Sequence, residues 1–345
     1  MRLFPRVVLA ASLLACAPVW AQKAPGNFTY SAGKLTRSPQ GGTIRLDSTP
    51  GHPAKVTSPQ LSLGANAIAF DLGGNTISEV RALDNVALKI NLKPKSGTGE
   101  TVHIESNSDA ATLTTANRTL VLTGNLSGFY RIGQGPQTML SGSKATFNYS
   151  GDTLDAFIES GANNQVELLL PAETGKADAL GPVTLRADSL RIDQKNGFAY
   201  FIGNARALST SGSGKLDVKA PSFTVARAAD GTIGTLTTNG ITVTKLDLPP
   251  DPNAKTDATS TKPTHVEVTA DKAVVNRATS TGVFDGNVKG FYVLQNAPSP
   301  FNFQGERATV KYDAQAAKTA GNDGLNVVVT GAPVDVQVPA FNLNF

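Results

Sequence analysis

From about residue 28 to its end the chain alternates apolar and polar side chains with a period of two, and this restricts the fold more than any other feature. Val86, Leu88, Ile90 and Leu92 alternate with Ala87, Lys89, Asn91 and Lys93. Val183, Leu185 and Ala187 alternate with Thr184, Arg186 and Asp188, and the same pattern returns at 216–221, 266–270 and 308–312. Successive side chains of a strand point to opposite faces, so such a segment buries one face and wets the other. Between the runs stand Gly73-Gly74-Asn75, Ser150-Gly151-Asp152, Asn196-Gly197 and Asp230-Gly231, residues that tolerate positive φ and suit hairpin turns. No segment after the first two dozen residues carries an amphipathic helical period. The expected fold class is all-β, built of many short strands joined by tight turns, from about residue 28 to 345.

The first residues have a different character. Arg2 and Arg6 precede a short apolar stretch, Val7 to Ala15, and Val19-Trp20-Ala21 puts compact residues at the positions a signal peptidase reads. The stretch is too short for a permanent transmembrane helix and reads as a secretory signal spanning 1–21. A second reading competes, in which Leu13-Leu14-Ala15-Cys16 is a lipobox and Cys16 is lipidated. Both export the chain. Cys16 is the only cysteine, so cleavage after Ala21 leaves a product with no disulfide, held by its core and its backbone ladders. Arg2 and Arg6 supply two of the +4 formal charges. The remaining bias is too weak to imply nucleic acid or an anionic membrane as partner.

Three stretches superimpose on one another: 102–130, 183–209 and 266–292. Each begins with an alternating strand, passes a polar turn, and rises through a second apolar strand to a Gly-Asn pair. Those pairs are Gly124-Asn125, Gly203-Asn204 and Gly286-Asn287. A hairpin-like unit follows each copy, and a further copy of that unit, 65–90, precedes the first. A recurring unit of this size implies stacking, because one unit alone cannot bury its apolar face. The expected organisation is an N-terminal repeat region over 22–170, a second repeat over 171–246, a linker or long loop over 247–264, and a third repeat over 265–345. The loop assignment rests on the Pro-, Asp- and Thr-rich composition of 247–264; residues 171–182 are similar but shorter.

The alanine-aspartate strand A-D-S-L-R-I-D at 187–193 with F-I-G-N-A at 201–205, and V-T-A-D-K-A at 268–273 with F-D-G-N-V at 284–288, resemble the OstA-like family. That family comprises the periplasmic proteins of lipopolysaccharide transport, the soluble bridge type (LptA) and the membrane-anchored type (LptC). The resemblance is clear over about 183–312 and weaker over 60–170. It implies a repeated β-jellyroll, an open V-shaped double sheet whose inner apolar face holds acyl chains, joined edge to edge into an elongated stack. This chain departs from the bridge protein in carrying several units, and from the anchored type in showing no long anchor helix. Such a groove has a physical rationale: an acyl chain that fills it recovers roughly 0.8 kcal/mol per buried CH₂. Open sheet edges likewise invite a partner strand.

On this reading the groove candidates are Leu185, Leu190, Ile192, Phe198, Tyr200 and Ile202 in one repeat, and Val266, Val268, Val283, Phe291 and Val310 in another. An ordinary closed β-sandwich core accounts for the same residues. His52, His103 and His265 lie far apart and lack zinc-site spacing, and no metal or other cofactor is expected. Ser209 to Gly214 lacks the G-x-S-x-G elbow, and no glycine-rich phosphate loop opens a helix. Asp188 and Asp271 hold equivalent places in two repeats, which points to a turn or bulge. The terminal Phe341-Asn342-Leu343-Asn344-Phe345 alternates like the last strand of an outer-membrane barrel, but the other strands lack lipid-facing runs and aromatic girdles. An edge strand is expected there. The function expected is non-enzymatic: a periplasmic protein that binds or relays lipopolysaccharide or a related envelope glycolipid, with other OstA-like jellyrolls as edge partners. The alternative is a structural or adhesive surface β-repeat protein that binds no lipid.

Overall fold

The computed structural model describes residues 29–337, apart from 39–41, 74–75, 93–100, 135–136, 151–152, 163–164, 171–181, 194–195, 212–213, 228–232, 249–263, 277–278, 294–298 and 314–323. The export signal, Cys16 and the terminal Phe341–Phe345 alternation lie outside the described residues, as does most of the two polar stretches at 171–182 and 247–264. The described residues form 24 strands and no helix, as the period-two pattern predicts. The chain divides into two compact units, Met1–Asn164 and Gln165–Phe345.

The first unit contains β1 (Thr29–Ser31), β2 (Lys34–Arg37), β3 (Thr43–Asp47), β4 (Ala54–Thr57), β5 (Leu61–Ala65) and β6 (Ala67–Gly73). Longer strands follow: β7 (Thr76–Leu92), β8 (Val102–Thr114), β9 (Thr119–Ile132) and β10 (Thr138–Ser150), then β11 (Thr153–Glu159). They pair antiparallel in two ladders. One half-sheet runs β2-β3-β6-β7-β8-β9-β10-β11. The other runs β1-β4-β5-β7-β8-β9-β10. Strands β7 to β10 belong to both and bend as they pass from one to the other.

The second unit repeats the plan with β12 (Val166–Leu170), β13 (Val183–Ala187), β14 (Ser189–Asp193), β15 (Phe198–Ser211), β16 (Gly214–Arg227), β17 (Ile233–Asn239) and β18 (Thr242–Leu248). Its remaining strands are β19 (Thr264–Ala270), β20 (Lys272–Asn276), β21 (Thr281–Val293), β22 (Phe301–Tyr312), β23 (Leu325–Thr330) and β24 (Asp335–Gln337). One half-sheet is β14-β15-β16-β17-β20-β21-β22-β23. The other is β12-β13-β15-β16-β18-β19-β21-β22-β24. Within it β18 and β19 pair directly, with Leu248 opposite Thr264, so the ends of the 247–264 stretch are strand.

The bend explains a difference from the expectation of short strands. Gly124-Asn125, Gly203-Asn204 and Gly286-Asn287 lie inside strands of 14, 14 and 13 residues, not at their ends. Both residues of each pair have positive φ: +74° and +42°, +79° and +47°, +80° and +47°. Two left-handed residues in succession turn the strand without ending it, and the neighbouring ladder skips register at the same point. An aspartate locks each corner, Asp109 within β8 and Asp188 and Asp271 in the links β13–β14 and β19–β20. Asn125 Nδ2 donates to Asp109 Oδ2 at 2.9 Å, Asn204 Nδ2 to Asp188 Oδ2 at 2.8 Å, and Asn287 Nδ2 to Asp271 Oδ2 at 2.7 Å. In β7 the pair Asp84-Asn85 holds the corner, again with both φ positive, and Asp84 O accepts from Asn66 N.

Through these corners one apolar face stays continuous. In β15, Phe201 and Ala205 both point inward, four residues apart across Gly203-Asn204, while in β16 Ala220 and Phe223 do so three apart across Pro221. In the second unit Val266, Val268, Val288 and Phe303 of one half-sheet form a single buried cluster with Ala273, Phe284, Ala308 and Val310 of the other. Two antiparallel half-sheets that share bent strands and face each other through their apolar sides make a β-jellyroll, and each unit is one.

Candidate functional site

The face between the half-sheets is the candidate site, and residues far apart in sequence line it at matched levels. In the second unit one level reads Leu168, Leu185, Ala207, Val218, Thr244, Val268, Gly290 and Phe303 across successive strands. In the first unit the corresponding level reads Val56, Leu63, Leu88, Ser106, Gly128 and Leu140. Nine of the twelve side chains there are aliphatic and one is aromatic, so the face offers dispersion contacts and excludes water.

Six of the eleven groove candidates lie on or toward this face. Leu185, Leu190, Val266, Val268 and Val310 are buried, and Ile192 lies partly buried opposite Ala199 on the same side as Leu190 and Phe201. The other five point the opposite way, which corrects their inner-face assignment. Phe198, Tyr200 and Ile202 face outward beside Asp193, Arg191 and Ser189, and the Arg191 guanidinium lies 6.0 Å from the Tyr200 ring centroid. Val283 sits outward between Val274 and Thr309, and Phe291 between Glu267 and Asn302. Residues 198–202 read Phe-Ala-Tyr-Phe-Ile, apolar at both parities, so alternation alone cannot choose the face. The cross-strand partners Leu190 and Ile192 choose it by drawing Phe201 and Ala199 inward.

Phe201, Phe223, Phe284, Val288 and Phe303 are inner-face residues that the alternation pattern did not single out. A usable signal was present. The residue two before each corner glycine (Leu122, Phe201, Phe284) and the one after each corner asparagine (Leu126, Ala205, Val288) are all buried. The corner fixes the parity on both sides of itself.

The outer faces carry a charged lattice. Glu167 pairs with Arg186 at 2.8 Å, Arg206 makes two bonds to Asp217 at 2.8 and 2.9 Å, and Lys245 pairs with Glu267 at 2.8 Å. The Asp217 carboxylate raises the pKa of Arg206, and Glu267 raises that of Lys245. One arrangement occurs in both units. His103 Nδ1 lies 2.5 Å from Asn91 Oδ1, with Glu105, Lys89 and the Phe129 ring around it; His265 Nδ1 lies 2.6 Å from Asp247 Oδ1, with Glu267, Lys245 and the Phe291 ring around it. Hydrogen bonds from Lys89 and then His103 hold Glu105 below the usual glutamate range. Among the described residues no group of three or more His, Cys, Asp or Glu side chains is placed to hold a metal ion. The charged lattice keeps the outer faces wet while the inner face stays dry.

No family model matches the chain, and no curated protein does. Among solved structures the chain is similar to the crystal structure of LptH, described as the LptA-homologous periplasmic component of the lipopolysaccharide transport device of Pseudomonas aeruginosa. The identity is 17%, the match covers 45% of this chain and 99% of that one, and the TM-score is 0.29.

Proposed function

We propose that this chain is an exported, non-enzymatic carrier that holds the acyl chains of lipopolysaccharide or a related envelope glycolipid against the inner face of its jellyrolls. The observation that carries this reading is the continuity of that face: two apolar half-sheets share bent strands and face each other, and among the described residues the charge pairs lie on the outer faces. A chain entering between the half-sheets exchanges protein–protein apolar contact for protein–lipid contact, and gains roughly 0.8 kcal/mol for each of its own CH₂ groups removed from water. The leader-like residues 1–21 support a periplasmic location. The motifs at 187–205 and 268–288 support the OstA-like resemblance.

The terminal strands support partners of the same architecture. Among the described residues β1 pairs only with β4 and β2 only with β3, and at the other end β23 and β24 pair only with β22. Such edges present backbone donors and acceptors to an added strand. The second reading, a structural β-repeat protein without lipid, has one observation in its favour: the protein's own atoms leave Leu190 and Phe201 0% exposed.

Mass spectrometry of organic extracts from the full chain, purified from an exporting Gram-negative host, separates the two. The carrier reading predicts a co-purified acylated glycolipid in near-stoichiometric amount. A lipid-free protein that also takes up no glycolipid from micelles would leave the structural reading standing.

A further inference from the structure

Two hydroxyl groups interrupt the apolar inner faces at one equivalent level. Ser106 in the first unit is 7% exposed and Thr244 in the second 6%, and Ser106 Oγ and Thr244 Oγ1 are both fully covered with no hydrogen-bond partner. The two residues belong to the same cross-strand pair of the repeat. Ser106 stands opposite Leu88 and Thr244 opposite Val268, while Lys89–Glu105 and Lys245–Glu267 are the adjoining pairs on the outer face. The hydroxyl thus sits on one strand of the pair in the first unit and on the other strand in the second. What recurs is a hydroxyl at that level, not a residue at one alignment position.

Two other inner-face hydroxyls are satisfied. Ser108 Oγ donates to Ala110 O at 3.1 Å, and Thr242 Oγ1 donates to Thr238 Oγ1 at 2.6 Å. These two lie at the corners, where freed backbone and side-chain groups supply partners. Ser106 and Thr244 lie three residues from the corner, about 10 Å at strand rise, where the backbone is fully paired. A covered hydroxyl without a partner is unfavourable, and a hydrocarbon chain laid against it leaves it so. Beside Ser106 the next strand places Gly128, which brings no side chain into the face at this level.

We propose that Ser106 and Thr244 each hydrogen-bond a hydroxyl carried on the ligand's acyl chain, so that the inner face selects hydroxylated over plain chains. The inference rests on the acyl-chain reading of the inner face and refines it. A hydroxyl fits better than a carbonyl, because the unpartnered protein oxygen needs both a donor and an acceptor and a carbonyl offers only the latter.

The test is competition binding with the full chain, in which β-hydroxymyristate and myristate each displace a fluorescent fatty acid. The wild-type protein prefers the hydroxylated chain by roughly three- to tenfold, the range one or two net hydrogen bonds provide. The Ser106→Ala, Thr244→Val protein melts no lower than wild type and loses the preference to within about twofold. Equal wild-type affinity for the two chains overturns the inference while leaving the carrier reading intact, as does a preference that survives both substitutions. If neither chain binds the wild type, the carrier reading fails and this inference with it.

Discussion

At Gly203 a Cβ would lie 2.4 Å from Asp188 Oδ2, and the backbone φ of +79° is one that side-chain-bearing residues rarely adopt. Gly286 repeats both features, with 2.5 Å to Asp271 Oδ2 and φ of +80°. Gly203→Ala should therefore destabilise the second unit by about 1–3 kcal/mol. Asn204→Ala, which removes the bond to Asp188, should cost about 1 kcal/mol. Urea midpoints with unchanged slope would check both, and a neutral Gly203→Ala would mean that the corner is softer than its geometry implies. Glu105 offers a second residue-level outcome. Its pKa is lowered on folding by Lys89 and His103, so its ionised form stabilises the native state above the unfolded-state pKa, and that contribution is lost as pH falls through the folded value. Glu105→Gln should melt slightly lower than wild type at neutral pH, by less than about 1 kcal/mol for so exposed a pair. The two melting curves should converge in acid below the glutamate range.

Strands 86–92, 183–187 and 266–270 were legible from alternation because each has its large apolar residues at one parity only. The strand at 198–202 was not, and its face depended on partners that the sequence does not bring together. The same limit hid the strand lengths. A Gly-Asn pair reads as a turn, yet with a register skip on the neighbouring strand it serves as a bend within one long strand. Asp188 and Asp271, read from their equivalent places as turn or bulge residues, act at those bends. Face assignment has a direct consequence for substitution. Val268 is 1% exposed on the inner face and Ile202 46% exposed on the outer. Val268→Asp should cost several kcal/mol through an unpaired buried carboxylate, whereas Ile202→Asp should stay within about 1 kcal/mol of wild type. Thermal melts of the two variants check the assignment, and equal losses would contradict it.

For the whole molecule, period-two alternation over some three hundred residues made the all-β class readable, and the spacing of three Gly-Asn pairs made repetition readable. What occupies the inner face was not readable from those features, since a closed sandwich and an acyl-chain groove demand the same apolar pattern. Placement of an amphiphile distinguishes them. Phe291 and Tyr292 are sequence neighbours on opposite faces: Phe291 stands outward against the His265 ring, and Tyr292 packs against the buried cluster. A photoreactive phenylalanine analogue at each position in turn, irradiated with lipopolysaccharide present, measures which face the lipid touches. The account predicts lipid adducts from position 292 and none from 291; equal adducts at both, or adducts from 291 alone, would contradict it.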